Sequence, residues 1–460
     1  MSKTTKNRLA LLALAGLSAV ASGPASAAGM TVDSKGGLEV FSLDDSDYWF
    51  KLGGRIFVDQ AFFDTNDNSI YPFPSGADIR SARLNMKGGV GNHWVYKLEL
   101  NFVDGEYTDD LASPGLSKFG EVFIGYAVCD DLFFSAGQIS VPFGLENWAS
   151  ASDLPFMEMS VASDAFAPYY GIGLYGEWHG DFFTFAATAY HPGGAGTIQK
   201  GDVISTAAFV PGAGPDGSAP GSDPWGVGGR LTFAPVHDDF TVYHGGVSYR
   251  YESMNPYANS FNYIAGLEVR SRQTPDIFTN IPPNSTTENN QVWGLELAGR
   301  WGPFILQGEY MHADVSRDDV FIVNYVNVGG GDLDFYGYYV EATYVLTGET
   351  REYDFDTGTF GRVHPSCRNG AWELGVRYSY VDLIDNQAFA TVAFIDPDVP
   401  FNDPTAAVVS DAIVGAVHST TIGLTWWVSD NVRFLANYSR MDLPNNSDAN
   451  ALGFRAQVNW

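Results

Sequence analysis

The chain has 460 residues, 45% of them hydrophobic and 15% aromatic, and its 54 acidic against 25 basic residues give a formal net charge of −29. So acidic a protein is excluded from recognising nucleic acid through its phosphates, because that needs a basic surface. Two cysteines, Cys129 and Cys367, are too few for a disulfide scaffold and permit at most one bridge.

In chain order, Lys3, Lys6 and Arg8 precede an apolar run from Leu9 to Ala21, and Ala25-Ser26-Ala27 offers small residues for cleavage. This is the layout of a secretory signal peptide over 1–27. Removing it leaves 22 basic and 54 acidic residues, a net −32. No later stretch approaches the ~18 to 20 apolar residues of a spanning helix. Residues 28–47 read as a short periplasmic segment, and strand patterning begins near Tyr48.

Several segments then alternate with a period of two. In Val95–Phe102, Lys97, Glu99 and Asn101 oppose Tyr96, Leu98, Leu100 and Phe102. In 292–300, Glu296 and Arg300 oppose Trp293, Leu295 and Leu297; in 371–380, Glu373, Arg377 and Ser379 oppose Trp372, Leu374, Val376 and Tyr378. The last ten residues place Leu452, Phe454, Ala456, Val458 and Trp460 on one face. Charges that recur opposite a continuous apolar band predict a polar interior and a lipid-facing exterior. Trp49, Trp94, Trp178, Trp301, Trp372, Trp426 and Trp460 fall near strand ends, as interfacial girdle residues do.

Tight turns are predicted near 91–93, 129–131, 180–181, 235–239, 301–303 and 428–431. Long links are predicted over 64–78, 105–118, 141–170, 191–224, 253–290, 315–335, 384–417 and 442–450. Short turns on one side and long loops on the other are the outer-membrane pattern, with 348–370 a long exception on the periplasmic side. The reading is all-β: a transmembrane antiparallel β-barrel of about sixteen strands over 48–460, with loops folded into the pore. Segment 262–272 is the one most able to add a strand. A barrel of this size encloses an aqueous channel.

Three stretches carry a family resemblance: Arg80-Ser-Ala-Arg-Leu84 with Trp94–Glu99; Gly137–Glu146 with Phe156-Met-Glu158; and Tyr339–Glu349 with Gly361-Arg-Val363 and Gly370–Tyr380. Together they resemble the phosphate-selective porin O and P family from about Leu52 to Trp460. The resemblance implies an outer-membrane porin, usually trimeric, with inward loops. It also implies arginines and lysines lining the lumen of members that take up phosphate. Ser81 and Ser140 stand where the family often has arginine and lysine.

Strand parity nominates Arg55, Arg83, Lys87, Lys97, Glu99, Arg300, Arg377, Arg433 and Arg455 as pore-lining. Lys51, Asp59, Glu296, Glu309, Glu341 and Glu373 share that face. This mixture predicts something other than a purely cationic funnel. The loop after the fifth strand is the expected constriction, with Pro142, Phe143 and Gly144 ending the strand and Glu146, Asp153 and Glu158 supplying carboxylates. Those acids would either favour cations or pair with wall arginines and fasten the loop. Asp104, Glu106, Asp109 and Asp110 read as a solvated loop.

No H-E-x-x-H, G-x-S-x-G or Walker pattern occurs, so no catalysis, metal or cofactor is expected. The expected partners are the lipid bilayer, lipopolysaccharide, small ions and two further copies of the chain. The expected function is passive diffusion of small hydrophilic solutes. Alternatives are a broad or cation-leaning pore and a surface-exposed structural or adhesive barrel.

Overall fold

The computed structural model describes residues 30–33, 38–42, 48–66, 69, 71, 73–103, 118–168, 170–192, 224–253, 263–272, 274–278, 287–317, 321–323, 326–328, 332–385 and 412–460. The leader expected over 1–27, the acids 104–110 and most of 384–417 lie outside them.

Sixteen antiparallel strands form one barrel: β1 Tyr48–Thr65, β2 Gly76–Val90, β3 Trp94–Asn101, β4 Lys118–Cys129, β5 Leu132–Ser140, β6 Tyr170–His179, β7 Phe183–Pro192 and β8 Trp225–His237. They continue with β9 Thr241–Ser253, β10 Thr287–Trp301, β11 Phe304–Arg317, β12 Leu333–Val345, β13 Ala371–Asp382, β14 Ala416–Ser429, β15 Val432–Leu443 and β16 Ser447–Asn459. Each pairs with its neighbours in sequence, and β16 closes on β1 from Asn459↔Arg55 to Ala449↔Thr65. Trp460 and Gly54 exchange two main-chain hydrogen bonds of 2.9 and 3.0 Å at that seam. A Cβ on Gly54 would lie 2.5 Å from the Trp460 ring, so the terminal aromatic needs glycine beneath it. Ahead of the barrel, Met30–Asp33 and Leu38–Ser42 form a hairpin that pairs with the start of β1.

Burial alternates strictly along most strands, and in the opposite sense to a soluble sheet. On β13, Trp372, Leu374 and Val376 are 38–48% exposed, whereas Glu373 and Arg377 are 1% and 0% exposed. Apolar groups face outward and charges inward, as a barrel in lipid requires. Two aromatic belts bound the outer band. Trp372 stacks on Trp426 and Trp426 on Phe434 at the short-turn end; Trp293, Tyr310, Tyr336 and Tyr380 adjoin one another at the other.

The short turns at 91–93, 130–131, 180–182, 238–240, 302–303 and 430–431 fall where alternation predicts them. The link expected over 442–450 is instead a three-residue turn, 444–446. Asn445 and Asn446 adopt φ of 59° and 55°, the left-handed region that asparagine tolerates. Polar Asp442 and Asn450, which read as loop, belong to strands that continue past the apolar band. Segment 262–272 adds no barrel strand: Ile264–Ala265 pairs with Asp276–Phe278, which pairs in parallel with Ala412–Val414, inside the barrel mouth.

The lumen is largely filled. Two short helices, α1 Leu145–Trp148 and α2 Val161–Phe166, fold in with the 141–169 loop. Segment 263–278 enters beside them, and Val161, Ala165, Phe166, Ala265, Leu267, Val269 and Ile277 pack on the inner wall of β10–β16. The wall there is apolar at inward positions: Met311, Ala313 and Val315 on β11, Phe335 on β12, Val381 on β13, Val417 on β14 and Met441 on β15. From the opposite end, the 346–370 link enters as a hairpin, Arg351–Asp354 with Thr359–Val363, and buries Phe360 against Val242 and Ile305.

Candidate functional site

A non-regular loop inside a barrel must satisfy backbone groups that no strand pairs. The 141–169 loop does so through the wall. Gly144, at φ +69°, approaches Glu309 so closely that a Cβ would sit 2.6 Å from Oε2. The Leu145 and Glu146 amides donate to the two oxygens of Glu309 at 2.9 and 2.7 Å, and Tyr339 Oη donates to the same carboxylate at 2.8 Å. Pro142 and Phe143 are buried as the chain leaves β5.

The carbonyls that follow are met by donors on β14–β16. Arg433 donates to the Leu154 carbonyl at 2.7 Å and to that of Ala151 at 3.4 Å. Gln457 reaches the Ser152 carbonyl at 2.8 Å, Thr425 that of Pro155 at 3.1 Å, and Arg455 that of Met157. Guanidinium suits this task because five N–H groups in one plane can serve a carbonyl and a carboxylate together.

The loop acids complete the fastening. Glu158 accepts two hydrogen bonds from Arg80, 2.8 and 2.9 Å, and one from Arg455 at 2.7 Å, with Arg270 at 3.8 Å. Burial alone would raise the Glu158 pKa, but Arg80, Arg270 and Arg455 hold its carboxyl well below the usual range. Arg455 also forks onto Asp59 at 2.8 and 2.7 Å. Arg377 binds Glu146 at 2.8 Å and Glu268 at 3.0 Å, with Glu341 at 3.7 Å and the Phe156 ring 4.4 Å away. Glu146 in turn accepts from the Ser160 amide. Asp153 meets Arg362 of the lower hairpin at 3.0 Å, and its carbonyl accepts from Arg351.

The lower hairpin is held in the same way. Arg230 forks onto Glu296 at 2.9 and 3.1 Å and donates to the Thr357 and Gly358 carbonyls at 2.6 and 3.0 Å. Arg300 donates to the Arg351 carbonyl at 2.6 Å. The inward charges therefore divide into two sets. Arg300, Arg377, Arg433 and Arg455, with Glu146, Asp153 and Glu158, lie inside this plug rather than on an open wall.

The second set, Arg55, Arg83, Lys87, Lys97 and Glu99, lies on β1–β3. Lys51, Lys87 and Lys97 are direct partners across three adjacent strands, and Arg55 and Arg83 are partners two inward positions further along, beyond Gly53 and Asn85. Arg83 pairs with Glu99 at 2.8 Å, and Lys97 contacts Glu121 of β4. These side chains keep partial solvent exposure, up to the exposed Lys87. Trp148 of α1, stacked on Tyr175 of β6 at 6.3 Å, borders a small cavity with Glu177, His179 and Asp356.

Parity did not nominate Arg80, because even-numbered residues of β2 should face outward. A bulge opposite Phe57–Asp59 inserts an extra β2 residue and turns Arg80 in. Arg230 was also missed, although it alternates with Gly228 and Thr232 on β8 and was legible by the same rule. Cys129 and Cys367 are both free.

The family model for phosphate-selective porin O and P matches residues 50–460. The chain belongs to that family. Porin O of Pseudomonas aeruginosa is 26% identical over 455 residues, covering 94% of this chain and 92% of that one. The barrel is shared with OprB of Pseudomonas putida, at TM-score 0.50 and 11% identity over 91% of this chain and 95% of the other. An anion-selective porin from Comamonas acidovorans superposes at TM-score 0.49 and 12% identity, over 90% and 100%. This porin is a passive diffusion channel of the bacterial outer membrane.

Proposed function

We propose that this porin passes small hydrophilic anions along an off-centre path against the β1–β4 wall. The observation that carries the reading is the row Lys51, Lys87 and Lys97, in register on three neighbouring strands where the wall remains solvated. The cation-leaning alternative relied on Glu146 and Glu158 facing the ions. Both are engaged by arginines within the plug, which favours the anion reading. Lysines at a wet wall lower the cost for an anion to enter while still letting it leave.

The channel needs no catalytic step, and we infer that it works as a homotrimer embedded in phospholipid and lipopolysaccharide, after removal of the 1–27 leader. The test is the zero-current potential of purified protein in a planar bilayer under a salt gradient. An anion-side potential that falls or reverses in Lys87→Glu is expected. A cation-side potential in the wild type, or no change in the variant, would overturn the assignment.

A further inference from the structure

On the outer wall, at the long-loop end of β11 and β12, three metal-ligating side chains converge. Asp314 and Asp334 are direct partners across the two strands and face the same way, out from the barrel. Two carboxylates directly opposite destabilise a sheet unless something neutralises them. His312, one outward position along β11, lies between them: Nδ1 is 3.5 Å from Asp314 and Nε2 is 3.8 Å from Asp334. Those separations make no hydrogen bond, and Nδ1 is sealed from solvent with no hydrogen-bond partner. Trp293 stacks on the imidazole, 5.4 Å between centroids and 26° between planes, and so fixes its position. One nitrogen and one oxygen from each aspartate lie within 4.8 Å of one another. Donors that close can share one divalent ion, whose ordinary bonds to nitrogen and oxygen run about 2.0–2.4 Å.

We propose that His312, Asp314 and Asp334 bind one divalent transition-metal ion of the Zn²⁺ type on the lipid-facing rim. Imidazole with two carboxylates selects this class over Ca²⁺ and Mg²⁺, which take oxygen donors. The two charges of the ion offset the facing aspartates. Its remaining positions point outward beside the tyrosine belt, at headgroup depth.

The test is calorimetric titration of the detergent-solubilised trimer or monomer with ZnCl₂, repeated with CaCl₂. One Zn²⁺ per barrel is expected. His312→Gln and, separately, Asp334→Asn should each weaken binding by at least about tenfold, since losing even a supporting partner costs that much. His418→Gln, an outward histidine on β14 beside Tyr378, should leave it unchanged. Heat-modifiable migration of each variant shows that its barrel has formed. No stoichiometric Zn²⁺ in the wild type, undiminished binding in folded His312→Gln, or equal affinity for Ca²⁺ would overturn the site.

Discussion

Glu158 is the residue on which the inward loop turns, because three arginines from β2, β16 and segment 263–278 converge on it. Removing one partner of a buried ion pair leaves uncompensated charge and costs roughly 3–5 kcal/mol. Glu158→Gln should therefore lower the unfolding temperature and make single-channel current noisier. A variant as quiet and as heat-resistant as wild type would show that the carboxylate fastens nothing. The pH dependence follows from the sign of its shift. A carboxyl held below its unfolded value of about 4.3 stabilises fully above that value and loses its contribution only as pH falls through the lower, folded pKa. Current noise should thus match at pH 7 and pH 5 and rise only in stronger acid. At this scale, parity placed Arg377, Arg433 and Arg455 on the inner face correctly. It could not say that carbonyls would occupy them, since main-chain partners leave no trace in side-chain pattern.

Among elements, the barrel strands were the most legible, because a lipid-facing band forces strict alternation. The failures have one physical cause: polarity signals depth, not pairing. Asp442 and Asn450 are polar because β15 and β16 rise out of the apolar band, and so they imitated a loop. Met311, Ala313, Val315 and Met441 are apolar on the inward parity because helix α2 and segment 263–278 cover them; apolar residues on the inward parity, alternating with polar His312, Asp314 and Arg440 outside, were the readable sign of a docked segment. The seam between β1 and β16 makes its own prediction. Gly54→Val would force a side chain into the Trp460 ring and the Arg83 carbonyl. Assembly of heat-modifiable barrel should fall as it does when Trp460 is deleted. Normal yield from both variants would remove the terminal strand's claim to close the barrel.

For the whole molecule, the plug enters from both mouths and leaves one side wet. The lower hairpin meets the upper loop at Asp153, held from below by Arg351 and Arg362. Shortening that hairpin at 355–358 should raise single-channel conductance, with ion preference kept because the Lys51–Lys87–Lys97 row is untouched. Unchanged conductance would mean that the hairpin stands clear of the solute path. Sixteen strands, their polarity and their closure were legible in the chain, whereas the off-centre path proposed above was not. That path depends on which inner wall attracts the loops, a choice made by long-range packing.

The donors of β14–β16 grip the upper loop through its carbonyls, and a carbonyl looks the same under any side chain. The barrel therefore works as a mould whose shape is stored in the wall, which holds the main chain of 151–157, while Asp153, on Arg362, and the buried Phe156, on Arg377, are tied through their side chains as well. New selectivities could be written into such a loop by exchange of residues that face the opening, with the arginines left untouched. Altering the wall would instead release every loop that it could hold.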